Sequence, residues 1–284
     1  MPELLRHAST GRSATPIVRE MHRGAASQGT FAARAVFEKW GLLGVSQQMK
    51  DVIAQVEEAG ASLTGVLVTG ESGTGRGLVA RAIHECGVTA EGPFVPVYCQ
   101  QVPPPEADHI LFGCRPGSPD RLATRQHFET ISPGSLVHRA LGGTLYFRNP
   151  EELPDRVQVK LARILRDGEV LVDSATEPRR LLLRPVVAAD LDFPRVVAEG
   201  QLRMDLYRRI SATSITVTPL RERREDIPHL AAHFVERACQ AAGITRRCLT
   251  GPAESLLAAV SWRGNNRELQ EVIDRVVRNS GDSE

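Results

Sequence analysis

Residues 64–77 read TGVLVTGESGTGRG. The apolar run Val66-Leu67-Val68 has strand length and ends at a glycine. The stretch GESGTGRG (residues 70–77) then leads into GLVARAIHE (77–85), whose apolar residues recur at helical spacing. Strand, glycine-rich loop and helix in that order are the context that a phosphate-cradling loop requires. Gly70, Gly73 and Gly75 permit backbone conformations that turn amides inward, and the following helix presents its N-terminus to the same anion. Glu71, Ser72, Thr74, Arg76 and Gly77 complete the loop. Arg76 stands where such loops carry lysine. Lysine is a compact ammonium and arginine a wider planar fork, so Arg76 is expected to meet phosphate at a different point.

Outward from this loop, strands alternate with helices. Residues 35–60 carry a helical pattern through Val36, Phe37, Leu42, Met49, Val52, Ile53 and Val56. PFVPVYC (93–99), TLYF (144–147) and part of LLLRPVVAA (181–189) read as further buried strands, and RVQVKLARILRDG (156–168) as a helix ending at Gly168. The alternation predicts an α/β fold with a parallel sheet flanked by helices. After about residue 224 the strands stop. Helices at 228–243, 252–260 (with Thr250 as candidate cap) and 266–278 predict a small all-helical second domain. Residues 1–34, rich in Arg, Ser, Gly, Ala and Thr, read as a flexible arm. The expected organisation is 1–34 arm, 35–224 α/β domain and 225–284 helical domain.

Composition narrows the class. An apolar fraction of 42% supports a real core, while aromatics at 5% leave Leu, Val, Ile and Ala to fill it. The net charge of +1 gives no global field toward nucleic acid or membranes. Three lysines (Lys39, Lys50, Lys160) leave 35 − 3 = 32 arginines, so Arg76 is in part a matter of general usage. The five cysteines (Cys86, Cys99, Cys114, Cys239, Cys248) lack metal-ligand spacing and read as free buried thiols of a reducing cytoplasm. No run approaches the ~18 apolar residues of a membrane span. Residues 1–20 lack the apolar core of a secretory signal.

Residues 142–154 read GGTLYFRNPEELP, which looks like a Walker B strand with Arg148 and Asn149 in place of its two acids. With this second motif the chain resembles the AAA+ central domain of bacterial enhancer-binding proteins, the sigma-54-dependent transcription activators, from about residue 40 to residue 278. LLGVSQQM (42–49) is similar to the family's adenine-contacting segment. GESGTGRG matches its P-loop, GPFVPVYC its second strand, and ILFG (110–113) the lead-in to its pore loop. QVKLARILRDGEV (158–170) matches its next helix and LRMDLYRRI (202–210) its arginine-finger segment. PLRERREDIPHLAAHF (219–234) and SWRGNNRELQEVI (261–273) are similar to its lid and sensor II. The resemblance implies a P-loop AAA+ sheet followed by a small helical lid. It also implies arginine fingers at Arg203 and Arg209 that act on a neighbouring subunit's nucleotide, and a sensor II at Arg267. Arg208 beside them belongs to the same segment, and the alternative reading of all three is plain surface charge in an arginine-rich chain.

The departures bear on function. The family's sigma-contacting GAFTGA is replaced by Gly117, Ser118, Pro119, Asp120, Arg121 and Leu122. The asparagine of the second strand is Tyr98, and the sensor I Thr-Asn pair is Ala189 and Asp190. No helix-turn-helix pattern is visible before Glu284, and no receiver domain precedes the core. Phosphoryl transfer to water needs charge neutralisation and an oriented water. Arg148 would repel magnesium and Asn149 cannot act as a base, a loss worth ~10²–10⁴ in rate before the metal is counted. The expectation is a pseudo-ATPase without catalytic residues or metal, binding ATP or ADP weakly and independently of magnesium through residues 70–77, Arg148 and Arg267. Arg148 either reaches the phosphates or pairs with Asp190 and closes an empty cleft. Arg267 either binds phosphate or pairs with Glu268 or Glu271. The expected partner is a second copy or a competent AAA+ protein, in the cytoplasm, with no sigma-54 contact and no membrane. Two alternatives stay open: a residual ATPase using Glu151 or Glu152, and a transcription regulator reaching DNA or RNA polymerase through residues 6–34 or a partner.

Overall fold

Short apolar runs such as Val66-Leu67-Val68 cannot face water on either side, and the chain resolves this by stacking them inside one parallel sheet. A computed structural model of the chain describes residues 18–20, 42, 44–113, 128–173, 175 and 177–279. In chain order its elements are β1 (Val18–Glu20), α1 (Gln47–Gly60), β2 (Val66–Gly70), α2 (Arg76–Glu85), β3 (Phe94–Tyr98), α3 (Ala107–Phe112), β4 (Thr130–Ile131) and α4 (Leu136–Arg139). They continue as β5 (Thr144–Arg148), α5 (Asp155–Asp167), β6 (Glu169–Val172), β7 (Arg179–Arg180), β8 (Arg184–Ala189), α6 (Phe193–Ala198) and α7 (Met204–Ile210). The last are β9 (Thr213–Val217), α8 (Ile227–Ala242), β10 (Arg247–Leu249), α9 (Gly251–Ala259) and α10 (Asn265–Asn279).

The central sheet has the order β3-β5-β8-β2-β9 with every neighbouring pair parallel. Strand side chains alternate between two faces. Leu67, Leu145, Phe147 and Val187 face one core with α5 residues Val157, Leu161 and Ile164. Val66, Val68, Tyr146 and Val186 face the other with Val52 and Val56 of α1 and Val79 and Ile83 of α2. A third core holds the C-terminal part: Leu230, Phe234 and Val235 of α8 pack with Trp262 and with Leu269, Ile273 and Val277 of α10. The expected parallel α/β sheet with a helical lid is the fold observed.

Several details depart from the sequence reading. Among the described residues the first helix begins at Gln47, and the 35–41 part of the expected helical pattern lies outside them; Ser46 caps the helix, its hydroxyl accepting from the Met49 amide. Leu42 is buried ahead of the helix, and Val36 and Phe37 lie outside the described residues. Edge strand β9 went unrecognised because only Ile215 and Val217 of TSITV are buried. A small second sheet, β4-β6-β7, was also unforeseen. The lid is not purely helical: β10 pairs antiparallel with β1, so the one described segment of residues 1–34 is a strand. Thr250 occupies the cap position of α9, but its side chain makes no capping hydrogen bond. Cys99 and Cys239 are buried thiols, Cys86 and Cys248 are only half-buried, and Cys114 lies outside the described residues.

Candidate functional site: an arginine-lined cleft at the sheet edge

Parallel strands bring their C-terminal ends to one edge, where ligands of α/β folds gather. Tyr98 lies in register with Arg148, Arg148 with Ala188, and Ala189 with Thr69. The edge therefore carries, side by side, Tyr98, Arg148, Asp190 and the loop that starts at Gly70. Asn149, directly after Arg148, takes a left-handed conformation (φ 57°) that asparagine tolerates, and its side-chain Nδ2 donates to Glu151 Oε1 at 3.0 Å.

The loop is shaped from below and gripped from the lid. Gly73 and Gly75 have φ of 81° and 107°. A Cβ on Gly73 would lie 2.1 Å from the carbonyl oxygen of Gly264, so the lid touches the loop where only glycine fits. Asn265 donates from Nδ2 to the Ser72 carbonyl (3.0 Å) and to Glu71 Oε2 (3.2 Å), and its Oδ1 accepts from the Leu220 amide (2.8 Å). Asn266 donates to the Thr74 carbonyl (3.1 Å). Arg223 donates to the same carbonyl (3.3 Å) and is ion-paired with Asp226 (3.2 Å). Asp226, fully buried, also accepts from the Val45 and Ser46 amides and the Ser46 hydroxyl. Burial pulls the pKa of Arg223 down while Asp226 opposes the shift. Arg221 forks onto Glu71 (2.6 and 2.7 Å) and holds that carboxyl below its ordinary range.

Between the loop, the sheet edge and α8 lies a cleft of about 560 Å³. Its wall includes the apolar side chains of Leu42, Met49, Leu230 and Phe234. Six arginines, Arg76, Arg81, Arg148, Arg223, Arg237 and Arg267, also stand in the wall, and no described residue lining it is an aspartate or glutamate. Such a cleft offers apolar surface for a planar group and cations for a polyanion.

Of the residues expected in the site, Gly73, Thr74, Gly75, Arg76, Gly77, Arg148 and Arg267 line this cleft. Gly70, Glu71 and Ser72 lie behind it, with the Glu71 carboxylate committed to Arg221 and Asn265. Asp190 is in contact with Arg76, not with Arg148: Arg76 Nη1 is 2.7 Å from Asp190 Oδ1. The approach is too bent for a hydrogen bond, and Nη1 is a buried donor without a hydrogen-bonded acceptor. Among the described residues no carboxylate pairs with Arg148, and Arg267 forms no ion pair with Glu268 or Glu271. Glu268 accepts instead from the Gly264 amide (2.8 Å). Neither Glu151 nor Glu152 lines the cleft. Arg203 and Arg209 lie away from it; Arg203 is forked onto Asp205 (3.1 and 3.2 Å) and reaches Asp155 at 3.4 Å, while Arg209 is exposed. The GAFTGA-aligned residues 117–122 lie outside the described residues.

The sequence reading missed Arg81, Arg237 and Tyr146. Arg81 lies over the Phe94 ring at 4.5 Å, and Phe94 stacks on Tyr146 at 5.5 Å. Arg81 sits one helical turn beyond the loop, the only signal that could have pointed to it.

Fold and cleft together define a P-loop domain of the AAA+ kind with its lid. Residues 42–216 match the Sigma-54 interaction domain family and residues 221–284 the AAA+ ATPase lid domain. The chain is 37% identical over 245 residues to the regulatory protein AtoC of Escherichia coli, covering 86% of this chain and 52% of AtoC. It is 35% identical over 234 residues to the Nif-specific regulatory protein of Herbaspirillum seropedicae, covering 82% and 42%. NtrX from Brucella abortus, solved in complex with ADP and with ATP, superposes with a TM-score of 0.72 at 29% identity, over 90% of this chain and 55% of NtrX. The chain belongs to the sigma-54 interaction domain family, and it spans about half the length of these relatives.

Proposed function

We propose that this chain is a degenerate member of its family: a transcription-related regulator or scaffold that binds ATP or ADP weakly without hydrolysing it. The observation that carries the reading is Arg148, a cation at the end of β5, in a cleft whose described lining contains no carboxylate. Adenine nucleotide fits the site by the loop geometry, the orphan donor on Arg76 and the apolar side chains in the cleft wall. The complexes of NtrX with ADP and ATP support the same ligand class. Magnesium does not fit: Arg148 repels it, and Gly77 has no hydroxyl at the position from which P-loops hold it. Within the site, the loop amides and Arg76 would bind phosphate, Arg267 would close over it from the lid, and Arg148 would stand in for the metal's charge.

In this reading the protomer works in the cytoplasm by assembling with itself or with a competent AAA+ protein. Arg203 and Arg209 are then presented to a neighbour's nucleotide, and sigma-54 is not contacted. Asp205 and Asp155 now neutralise Arg203, so assembly would have to exchange those partners. The test is calorimetry with ADP and ATP in chelator and in magnesium, alongside a turnover assay. The expected result is millimolar-range heat that magnesium does not strengthen, with no turnover above background. Turnover abolished by Arg76→Ala would sink the pseudoenzyme reading, and co-elution with sigma-54 in the presence of a transition-state mimic would sink the sigma-54 claim.

A further inference from the structure

Asp190 is an acid placed against a phosphate-binding arginine. β2 and β8 are neighbours with Thr69 opposite Ala189, so the two strands release Gly70 and Asp190 side by side. Arg76, the first residue of α2, bends back over this edge with its side chain only 11% exposed, and Nη1 stops 2.7 Å from Asp190 Oδ1. The contact neutralises charge but does not satisfy the donor, since Nη1 remains without a hydrogen bond. Asp190 is itself held loosely: its side chain is 52% exposed, and among the described residues its carboxylate accepts no hydrogen bond. The other acid beside the cleft, Asp226, is different in kind, fully buried and fixed by two amides and a hydroxyl.

We infer that Asp190 acts as an internal competitor for the phosphate of an incoming ligand. It occupies Arg76 while the cleft is empty and swings into solvent when a nucleoside di- or triphosphate enters. The inference rests on the reading of the cleft as a phosphate site and adds the device that sets its affinity. A phosphate oxygen can approach Nη1 in line, which Asp190 does not, so the exchange replaces a bent contact with a directed one. Releasing Asp190 costs little because half of its side chain already meets water. The acid therefore weakens the site without closing it.

The test is ADP titration by calorimetry in chelator on the full chain, for the wild type, Asp190→Asn, Arg76→Ala and the double variant. Asp190→Asn is nearly isosteric at an exposed position, and a thermal melt confirms that it folds. The expected result is roughly two- to fivefold tighter ADP binding by Asp190→Asn, the scale of one partly exposed ion pair. That gain should vanish in the Arg76→Ala background, because the competition is for Arg76. Equal affinities, or a gain that persists without Arg76, overturn the inference and leave the phosphate site standing. Weaker binding by Asp190→Asn in magnesium would make Asp190 a metal ligand and also overturn it. No heat from any variant at millimolar ADP overturns the phosphate site and the inference together.

Discussion

Arg148 shows how much one residue can decide. At the end of a buried strand its backbone is fixed by pairing on both sides, which roots its half-buried side chain at the cleft. Removing it should weaken ADP binding in chelator by about tenfold, the scale of one charge-assisted hydrogen bond. Arg148→Ala measured against the wild type checks this, and an unchanged affinity would mean that the guanidinium never reaches the phosphates. His84, on the far side of the strand-helix packing, makes a stability statement. Its Nδ1 bonds the Thr144 hydroxyl at 2.9 Å, and its ring meets Phe94 edge-on. Burial, aided by Arg81, holds its pKa below the ordinary 6.5. Between that lowered value and 6.5 the unfolded chain holds more protons, so stability rises with pH across the window and falls as pH drops below 6.5. The melting temperature of the wild type should decline in this range, and His84→Gln should flatten the decline.

Elements in this fold are held by buried polar groups as much as by apolar cores. Arg184, fully buried at the start of β8, donates from Nη2 to the Ala59 carbonyl at the end of α1, while Nε and Nη1 find no hydrogen-bond partner. Burial lowers its pKa to about 10. A lone buried cation with orphan donors is a net cost, so Arg184→Met should be neutral or stabilising by roughly 1 kcal/mol in chemical denaturation. The link between lid and loop behaves oppositely. Asn265→Ala deletes bonds to Leu220, Ser72 and Glu71 and leaves at φ 54° a residue that tolerates the left-handed region less well than asparagine, a combined loss of about 2–4 kcal/mol. Asn265→Gly keeps the backbone at ease and isolates the hydrogen bonds. The tie between Arg221 and Glu71 contributes in full above the carboxyl's ordinary pKa of 4.5, and that contribution is lost as pH falls from there through the lowered folded value. Acid should therefore loosen the lid from the loop before it melts the sheet, a sequence that hydrogen exchange at the loop amides can follow.

Across the whole molecule the charge is nearly balanced at +1, yet six arginines line a single cleft. Binding there should weaken several-fold between low and high salt, because screening acts on exposed charges such as Arg267. Titrations at two ionic strengths decide this. The parallel sheet was legible because TGVLV, FVPVY and TLYF are apolar runs with one physical solution, and the loop because its glycines sit between a strand and a helix. β9 was not, since a half-buried edge strand has too few apolar positions to stand out. Arg76 and Arg148 could be named from their places in motifs, whereas Arg81 and Arg237 sit on ordinary helix faces. Whether Asp190 pairs with Arg148 stays open in the sequence for a geometric reason: strand order places Asp190 beside both Arg148 and the loop, and only the path of the Arg76 side chain decides between them. Contacts such as Asn265 to Ser72, 193 residues apart, leave no local trace in the chain.

The meeting of Gly73 with Gly264 has a mechanical consequence. A probe carbon on Gly73 already overlaps the lid carbonyl at 2.1 Å, so the clearance between the two parts is less than the width of one methyl group. A single added carbon there would act as a wedge, tilting the lid about its root near Leu220 and prising Asn265 and Asn266 from the loop without altering a charge. Gly73→Ala, which also strains the loop backbone at φ 81°, thus opens the molecule without changing a charge, and comparing it with removal of Arg267 would set what the lid does by position against what its arginine does by charge.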